Sequence, residues 1–176
     1  MKALEGVRVI DIANVIAAPF AANILADFGA EVLKVEMPGR GDSFRAMGPF
    51  VDKKSIRWQS MSRNKKPITL DLHYEEGKEI FLKLVEQSDV IIENFRTGTL
   101  DKWGLDIETL RKANPKIIVT RVTGYGQTGP YKELSGFGTP CTAFSGVTYL
   151  LGFPDRPPAS PSFSLADYVA GLNAVI

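Results

Sequence analysis

The chain has 176 residues, of which 44% are hydrophobic, so it is long enough for one globular domain with an apolar core. Its 21 basic and 20 acidic residues nearly cancel, which argues against nucleic-acid or membrane-surface binding and predicts that any anion site is local. One cysteine and one histidine exclude an internal disulfide and a Cys/His metal site, and no apolar run reaches the roughly 20 residues of a membrane span. We therefore expect a cytoplasmic protein without a metal site.

Strand and helix patterns alternate from residue 7 onward. Val7–Ile12 is a β-branched run, Pro19–Phe28 has the apolar spacing of a helix, and Glu31–Val35 reads as a second strand. A long polar loop is then expected over residues 37–66. Connections of that length are uncommon in compact domains, and they are usually functional or partly disordered.

The alternation resumes after this loop and fixes the fold class. The predicted elements are strands at Pro67–Leu72, Asp89–Glu93 and Ile117–Val122 and helices at Glu75–Gln87 and Ile107–Ala113. Strands that alternate with helices predict an α/β fold, with a mostly parallel sheet and helices on both faces.

The composition changes beyond Gly124. Glycine, proline, serine and threonine dominate up to Pro161, which predicts long loops around one helix. A last helix is expected to begin near Leu165 and to stay apolar as far as Ile176. Because it has no polar end, we expect the natural sequence to continue beyond it.

Asp167 is the one charged residue after Arg156. As the N-cap of the last helix, its carboxylate would accept orphan N–H groups, a contribution of about 1 kcal/mol. In a cleft, the same carboxylate would be a candidate nucleophile for covalent catalysis. The local pattern alone favours the cap.

Polar and aromatic residues follow the strand DVIIE directly. Asn94, Phe95 and Arg96 come first, and Lys102 lies a few residues further on. A flat aromatic, an amide and two cations at one strand end are suited to an aromatic base and phosphate groups. The alternative is a solvated loop with Phe95 packed into the core.

Other charged or polar residues have weaker signals. His73, after the strand ITLDL, has no obvious serine or cysteine partner and is expected at the surface. The cations of the segment RWQSMSRNKK are typical of a solvated face, although they would also suit a polyanionic ligand; they are Arg57, Arg63, Lys65 and Lys66.

Five segments in series resemble the N-terminal half of the class III coenzyme A transferases, the CaiB/BaiF family, which includes formyl-CoA and crotonobetainyl/carnitine CoA transferases. They are LEGVRVIDIANVIAAPFAANILADFGAEVLKVEMPGRGD, SRNKKPITLDL, DVIIENFRTGTLDKWGL, NPKIIVTRVTGYGQTGP and SFSLADYVAGL. The resemblance covers essentially all of the chain. It implies a Rossmann-like CoA-binding domain over residues 1–176, without the second domain and glycine-rich lid of the family fold, and an interlocked homodimer.

The resemblance also implies roles for individual residues. Asp167 would be the nucleophile that forms an anhydride and then a CoA thioester, so that CoA passes from an acyl-CoA to a carboxylic acid. No tightly bound cofactor is implied, since CoA is a substrate. The residues implied in CoA binding are Arg96, Lys102 (a lysine where the family often has arginine), Asn94, Phe95, Leu70 and His73.

Two alternatives remain open within this resemblance. Related α-methylacyl-CoA racemases use a histidine where this chain has Phe137, which cannot carry a proton, so racemase activity is disfavoured. The chain could also be a CoA-binding fragment without catalysis. The apolar residues Ile16, Phe137, Phe144 and 149–153 favour a larger or hydrophobic acid as substrate.

Overall fold

The computed structural model describes residues 2–176 and contains a five-stranded parallel sheet in the order β5-β2-β1-β6-β7. Its strands are β1 Arg8–Asp11, β2 Glu31–Glu36, β5 Lys65–Thr69, β6 Val90–Glu93 and β7 Ile118–Arg121. The helices are α1 Ala17–Asp27, α2 Ile56–Met61, α3 Glu75–Glu86, α4 Thr99–Lys102, α5 Ile107–Ala113, α6 Gly138–Phe144, α7 Val147–Leu150 and α8 Leu165–Asn173. The predicted α/β class and parallel sheet are confirmed.

Alternate side chains of the central strands enter two separate cores, one on each face of the sheet. Val9 and Ile92 face α1, whose alanines allow the helix to approach the sheet closely. Ile10 and Ile91 face the other way and pack with Phe81 of α3 and with α5. Helices therefore cover both faces, as the alternation of elements predicted.

The expected loop over residues 37–66 contains more structure than the sequence indicated. It holds a 3₁₀ helix at Ser43–Ala46, a two-stranded antiparallel ladder of β3 Phe50–Val51 and β4 Lys54–Ser55, and helix α2. Ser55 caps α2 by accepting the N–H of Trp58. The strand expected at Pro67–Leu72 begins earlier, because Lys65 and Lys66 already pair with β2.

Four expectations for the helices need correction. A short helix, α4, follows β6, and the region from Gly124 to Pro161 contains two helices, α6 and α7, where one was expected. The last helix begins at Leu165 as predicted but ends at Asn173. Its N-cap is Ser164, so the interpretation of Asp167 as the N-cap is wrong. In residues 2–176, no helix has both the length and the apolar character that crossing a bilayer requires.

Candidate active site

A cleft of about 1150 Å³ opens beyond the carboxyl ends of β1, β6 and β7. Its walls come from the segments after these strands, from the starts of α1 and α6, from the first half of α8, and from the 3₁₀ helix and α2. Open parallel sheets bind ligands at this edge, where neighbouring connections diverge. That point lies here between β1 and β6, because β2 flanks β1 on one side and β6 on the other.

A second depression, of about 630 Å³, lies at the opposite edge of the sheet. It is lined by residues from the amino ends of the strands, such as Arg8, Glu31 and Lys66. None of the predicted site residues lies there, so the cleft at the carboxyl edge is the candidate site.

Asn94 joins the two segments that meet at this edge. Its side-chain oxygen accepts the N–H of Asn14 at 2.8 Å, and its side-chain nitrogen donates to the carbonyl of Asn14 at 2.7 Å. Both residues line the cleft. The Asn94 amide is therefore engaged with the backbone of the β1–α1 loop, and it fixes the position of that loop relative to the end of β6.

Asp167 lies in the same cleft, in the first turn of α8. Its half-buried carboxylate faces the Cα of Gly138, so that a Cβ built on Gly138 would overlap with Asp167 Oδ2. Within residues 2–176 it accepts no hydrogen bond and forms no salt bridge. Burial raises the pKa of the Asp167 carboxyl above its ordinary value. The result is a partly desolvated, uncompensated carboxylate that faces an open cavity.

Close packing of α8 on α1 sets the position of Asp167. Gly171 faces α1 so tightly that a Cβ there would lie 2.6 Å from the carbonyl oxygen of Ala17. The ring of Tyr168 meets Phe20 edge to face, with centroids 4.9 Å apart. These contacts fix both the depth and the rotation of α8, and with them the direction of the carboxylate.

A buried network of charged side chains packs against the β1–α1 loop and bonds to its backbone. Lys34 is 1% exposed and contacts Asp11 at 3.3 Å and Asp42 at 3.2 Å. Lys65 contacts Asp11 at 2.8 Å and donates to the carbonyl of Pro19 at 2.7 Å. Although burial alone would raise the pKa of Asp11, the two lysines hold it below its ordinary value. The network continues through Glu36 to Arg45, with an Nε to Oε2 distance of 2.7 Å.

The carboxylates of this network also accept backbone N–H groups of the loop. Asp11 accepts the N–H of Ala13 at 3.0 Å, and Asp42 accepts that of Val15 at 3.0 Å. Val15 has a φ of +67°, which is costly for a β-branched residue and needs support from its surroundings. This network was not predicted from the sequence. Its signal was the presence of Asp11 and Lys34 inside otherwise apolar strands.

The residues predicted to bind CoA form two groups. Phe95 lines the cleft and packs edge to face on Trp103 at 5.0 Å, and Trp103 contacts His73 at 4.7 Å. Leu70 packs against the same core cluster as Phe95 and Trp103. His73 Nδ1 lies 2.6 Å from Asp71 Oδ1. The fold thus brings His73 and Phe95 into contact with Trp103, a residue that no sequence pattern indicated, while Leu70 packs against the same core cluster.

Arg96 and Lys102 form the second group. Both are exposed on the segment after β6, and neither forms a salt bridge with any residue of the described chain. Neither lines the cleft itself. Their cationic ends remain available to an anion in solvent beside Phe95.

Only part of the apolar set predicted to contact the acid lines the cleft. Ile16 and Phe137 do so, the latter at the start of α6. Phe144 and residues 149–153 are absent from its walls. The aromatic surface on which the preference for a hydrophobic acid rested is thus largely outside the cleft.

Glu93, at the end of β6, is a buried carboxyl group with few partners that could stabilise its charge. It accepts the N–H of Phe95 at 2.6 Å, while Arg121 Nε lies 3.6 Å from it, beyond hydrogen-bond distance. Two nitrogens of Arg121, Nε and Nη2, have no hydrogen-bond partner in residues 2–176. Burial raises the pKa of Glu93 to about 7, although the Phe95 N–H and Arg121 act in the opposite direction.

We expect Glu93 to make the protein less stable as the pH rises. Between about pH 4.5 and about pH 7 the unfolded chain loses this proton while the folded chain keeps it, so the free energy of unfolding falls by about 3 kcal/mol. Above about pH 7 both states are ionised and the contribution is constant. Urea titrations of the wild type and of Glu93→Gln across this range test it, and parallel curves would contradict it.

Comparison with known proteins places this architecture in a family. The model of CoA-transferase family III matches residues 4–176. The chain belongs to CoA-transferase family III. It is 51% identical over 175 residues to the succinyl-CoA–L-malate CoA-transferase β subunit of Chloroflexus aurantiacus, covering 98% of this chain and 43% of that one. It is 42% identical to the succinyl-CoA:glutarate CoA-transferase of Mus musculus, covering 99% of this chain and 40% of that one.

Solved structures of the family have the same fold. A CaiB/BaiF family protein from Brucella suis superimposes with a TM-score of 0.94 at 40% identity, covering 99% of this chain and 47% of that one. The predicted membership of the CaiB/BaiF family is therefore confirmed. The chain spans less than half the length of these relatives.

Proposed function

We propose that this protein transfers coenzyme A from an acyl-CoA to a carboxylic acid, with Asp167 as the nucleophile. The observation that carries the proposal is the half-buried carboxylate of Asp167, which faces the cleft without any compensating cation or hydrogen bond from residues 2–176. A carboxylate in such a site is more basic than in water and so a stronger nucleophile. Family membership and the names of the relatives support the substrate class.

In the proposed cycle, a carboxylate oxygen of Asp167 attacks the thioester carbonyl and expels CoA thiolate, which leaves an acyl-aspartyl anhydride. The thiolate then attacks the aspartyl carbonyl, releasing the donor acid and leaving an aspartyl-CoA thioester. The acceptor carboxylate attacks the carbonyl of this thioester and expels CoA thiolate, which leaves an anhydride between Asp167 and the acceptor. The thiolate then attacks the acceptor's carbonyl carbon and releases the Asp167 carboxylate. The products are the new acyl-CoA and free Asp167, so every bond broken is replaced by an acyl bond.

The β1–α1 loop is suited to stabilise the charge that develops on the carbonyl oxygen. The first N–H groups of α1 have no partner within the helix, and Ile16 and Ala17 line the cleft with Asp167. Ile16 brings no polar side chain, so backbone N–H groups would supply these donors. The buried network would then contribute by holding this loop in place.

We propose that CoA enters along the segment after β6. Phe95 offers an aromatic face to the adenine, with Trp103, His73 and Leu70 behind or beside it, and the exposed Arg96 and Lys102 offer their charges to phosphates. Asn94 would act by holding the β1–α1 loop. In this proposal residues 1–176 form the CoA-binding domain of a cytoplasmic homodimer, with CoA as a substrate and no tightly bound cofactor.

The α-methylacyl-CoA racemase alternative lacks its second proton carrier in this chain. Phe137 stands at the start of α6, and the one histidine, His73, pairs with Asp71 and does not line the cleft. Deuterium exchange at the α-carbon of a 2-methylacyl-CoA would restore this alternative.

A borohydride trap tests the proposed function. The chain, and in parallel the chain with any sequence that its gene encodes beyond residue 176, is incubated with acyl-CoAs, reduced and digested for mass spectrometry. We expect Asp167 to be reduced to the alcohol, because borohydride reduces an aspartyl thioester, and we expect Asp167→Asn to show no such product. If no acyl-CoA leads to modification of either the 176-residue chain or the extended chain, the protein is a CoA-binding protein without covalent chemistry. Light scattering on the same samples tests the homodimer.

A further inference from the structure

The four cations of the segment 57–66 do not share one environment. Three of them have acidic partners: Arg63 with Asp27 at 3.2 Å, Lys65 with Asp11 at 2.8 Å, and Lys66 with Glu31 at 2.7 Å. Arg57, the fourth, forms no salt bridge within residues 2–176. The interpretation of this cluster as a uniformly solvated face is therefore incomplete.

Arg57 is an exposed residue in the first turn of α2, and it is one of the residues that line the cleft that contains Asp167. Among the described residues that form the walls of this cleft, it is the one with a cationic side chain. An arginine presents a planar fork that matches the two oxygens of a carboxylate. The cleft thus combines one candidate nucleophile with one unpaired guanidinium group.

The position of α2 places Arg57 on the side of the sheet that α1 covers, although Arg57 and Phe95 line the same cleft. Helix α2 packs on α1 and on the 3₁₀ helix, and α1 also carries α8 with Asp167. Phe95, Trp103 and Leu70 instead pack against the core on the opposite face of the sheet. Because α2 and α8 both contact α1, Arg57 and Asp167 lie on the same side of the sheet.

We propose that Arg57 binds a second carboxylate of the acid substrate, so that the site selects dicarboxylic over monocarboxylic acids. The inference rests on the proposed function, since it takes the cleft at Asp167 to be the place where the acid binds. One carboxylate takes part in acyl transfer at Asp167, and the other pairs with the guanidinium group. This assigns a specificity-determining role to a residue outside the catalytic step.

Equilibrium binding tests the inference without requiring turnover. Calorimetric titrations of the full chain encoded by the gene with succinate and with butyrate compare acids that have the same number of carbons. We expect the wild type to bind succinate at least about tenfold more tightly, and Arg57→Gln to remove this preference. Arg57→Lys should keep part of it, because the charge remains but the fork is lost. Lys54→Gln, which removes an exposed cation three residues away, should leave it unchanged.

Two further experiments are needed. One distinguishes a carboxylate from a phosphate as the partner of Arg57, and the other distinguishes the role of Arg57 from the proposed CoA transfer. Titration with CoA itself distinguishes a carboxylate from a phosphate partner: weaker CoA binding by Arg57→Gln, with succinate unaffected, would overturn the inference. Transfer kinetics use acetyl-CoA as donor, since a succinyl donor would bring its own carboxylate. If the wild type binds succinate and butyrate equally well but still transfers CoA, the role of Arg57 is refuted and the proposed function is not. An Arg57-dependent succinate preference without transfer would refute only the proposed function.

Discussion

Replacing Gly138 by alanine is expected to lower the rate of CoA transfer by at least about a hundredfold while the protein stays folded. The added Cβ would overlap with Asp167 Oδ2 and approach its Cγ to 3.1 Å. A side-chain end rotates away more readily than a backbone moves, so we expect Asp167 to turn out of its present orientation. A displacement of about 1 Å from the productive geometry is enough to cause a loss of this size.

The steric effect of Gly138→Ala can be told apart from its effect on helix stability. Alanine is a better helix former than glycine, so without the steric conflict Gly138→Ala would be at least as stable and fully active. Ala143→Gly alters the backbone freedom of the same helix at an exposed position and should leave the rate unchanged. Full activity of Gly138→Ala would show that the position of Asp167 does not depend on this contact.

Replacing Lys34 by methionine is expected to destabilise the protein by about 3–5 kcal/mol. The substitution keeps most of the length of the side chain but leaves Asp42 without its cation and Asp11 with Lys65 alone. A buried carboxylate that loses its partner keeps its full desolvation penalty. Because small domains are stable by only about 5–15 kcal/mol, much of the chain's stability would be lost. The free energy of unfolding from urea titration measures it.

Lys66→Met is the matched control. Lys66 also lies on the sheet and pairs with Glu31 at 2.7 Å, but its side chain is 71% exposed, so the loss should stay below about 1 kcal/mol. Adding Asp42→Asn to Lys34→Met should recover part of the loss, since it removes the orphaned charge while an amide oxygen can still accept the Val15 N–H. Equal losses of stability in Lys34→Met and Lys66→Met would mean that burial does not set the strength of the ion pairs of Lys34.

The sheet could be predicted because its strands carry local signals. The runs VRVIDI and DVIIE are β-branched and bounded by polar residues, and the helices between them have regular apolar spacing. The segment 37–66 has no such signal. Its ladder has only two residues in each strand, and α2 is one short helix, so tertiary contacts decide whether these elements form.

The site was less accessible to local reasoning. The pattern around Asp167 favoured a cap, which is wrong because Ser164 occupies that position. Only the resemblance of five segments favoured a nucleophile over the cap, and that role is still a proposal. The buried network joins Asp11 to Lys34 and Lys65, which are 23 and 54 residues away in sequence. No local pattern specifies such pairs, since they depend on the register of β1, β2 and β5.

The two tryptophans of the chain lie near the two proposed binding regions, one for CoA and one for the acid. Trp103 contacts both Phe95 and His73, and Trp58, next to Arg57 in sequence, packs under the guanidinium group of Arg45 at 4.1 Å. The protein therefore contains its own optical reporters. Intrinsic fluorescence of variants with a single tryptophan can follow events on the nucleotide side and on the acid side of the cleft separately, in real time and without an added label.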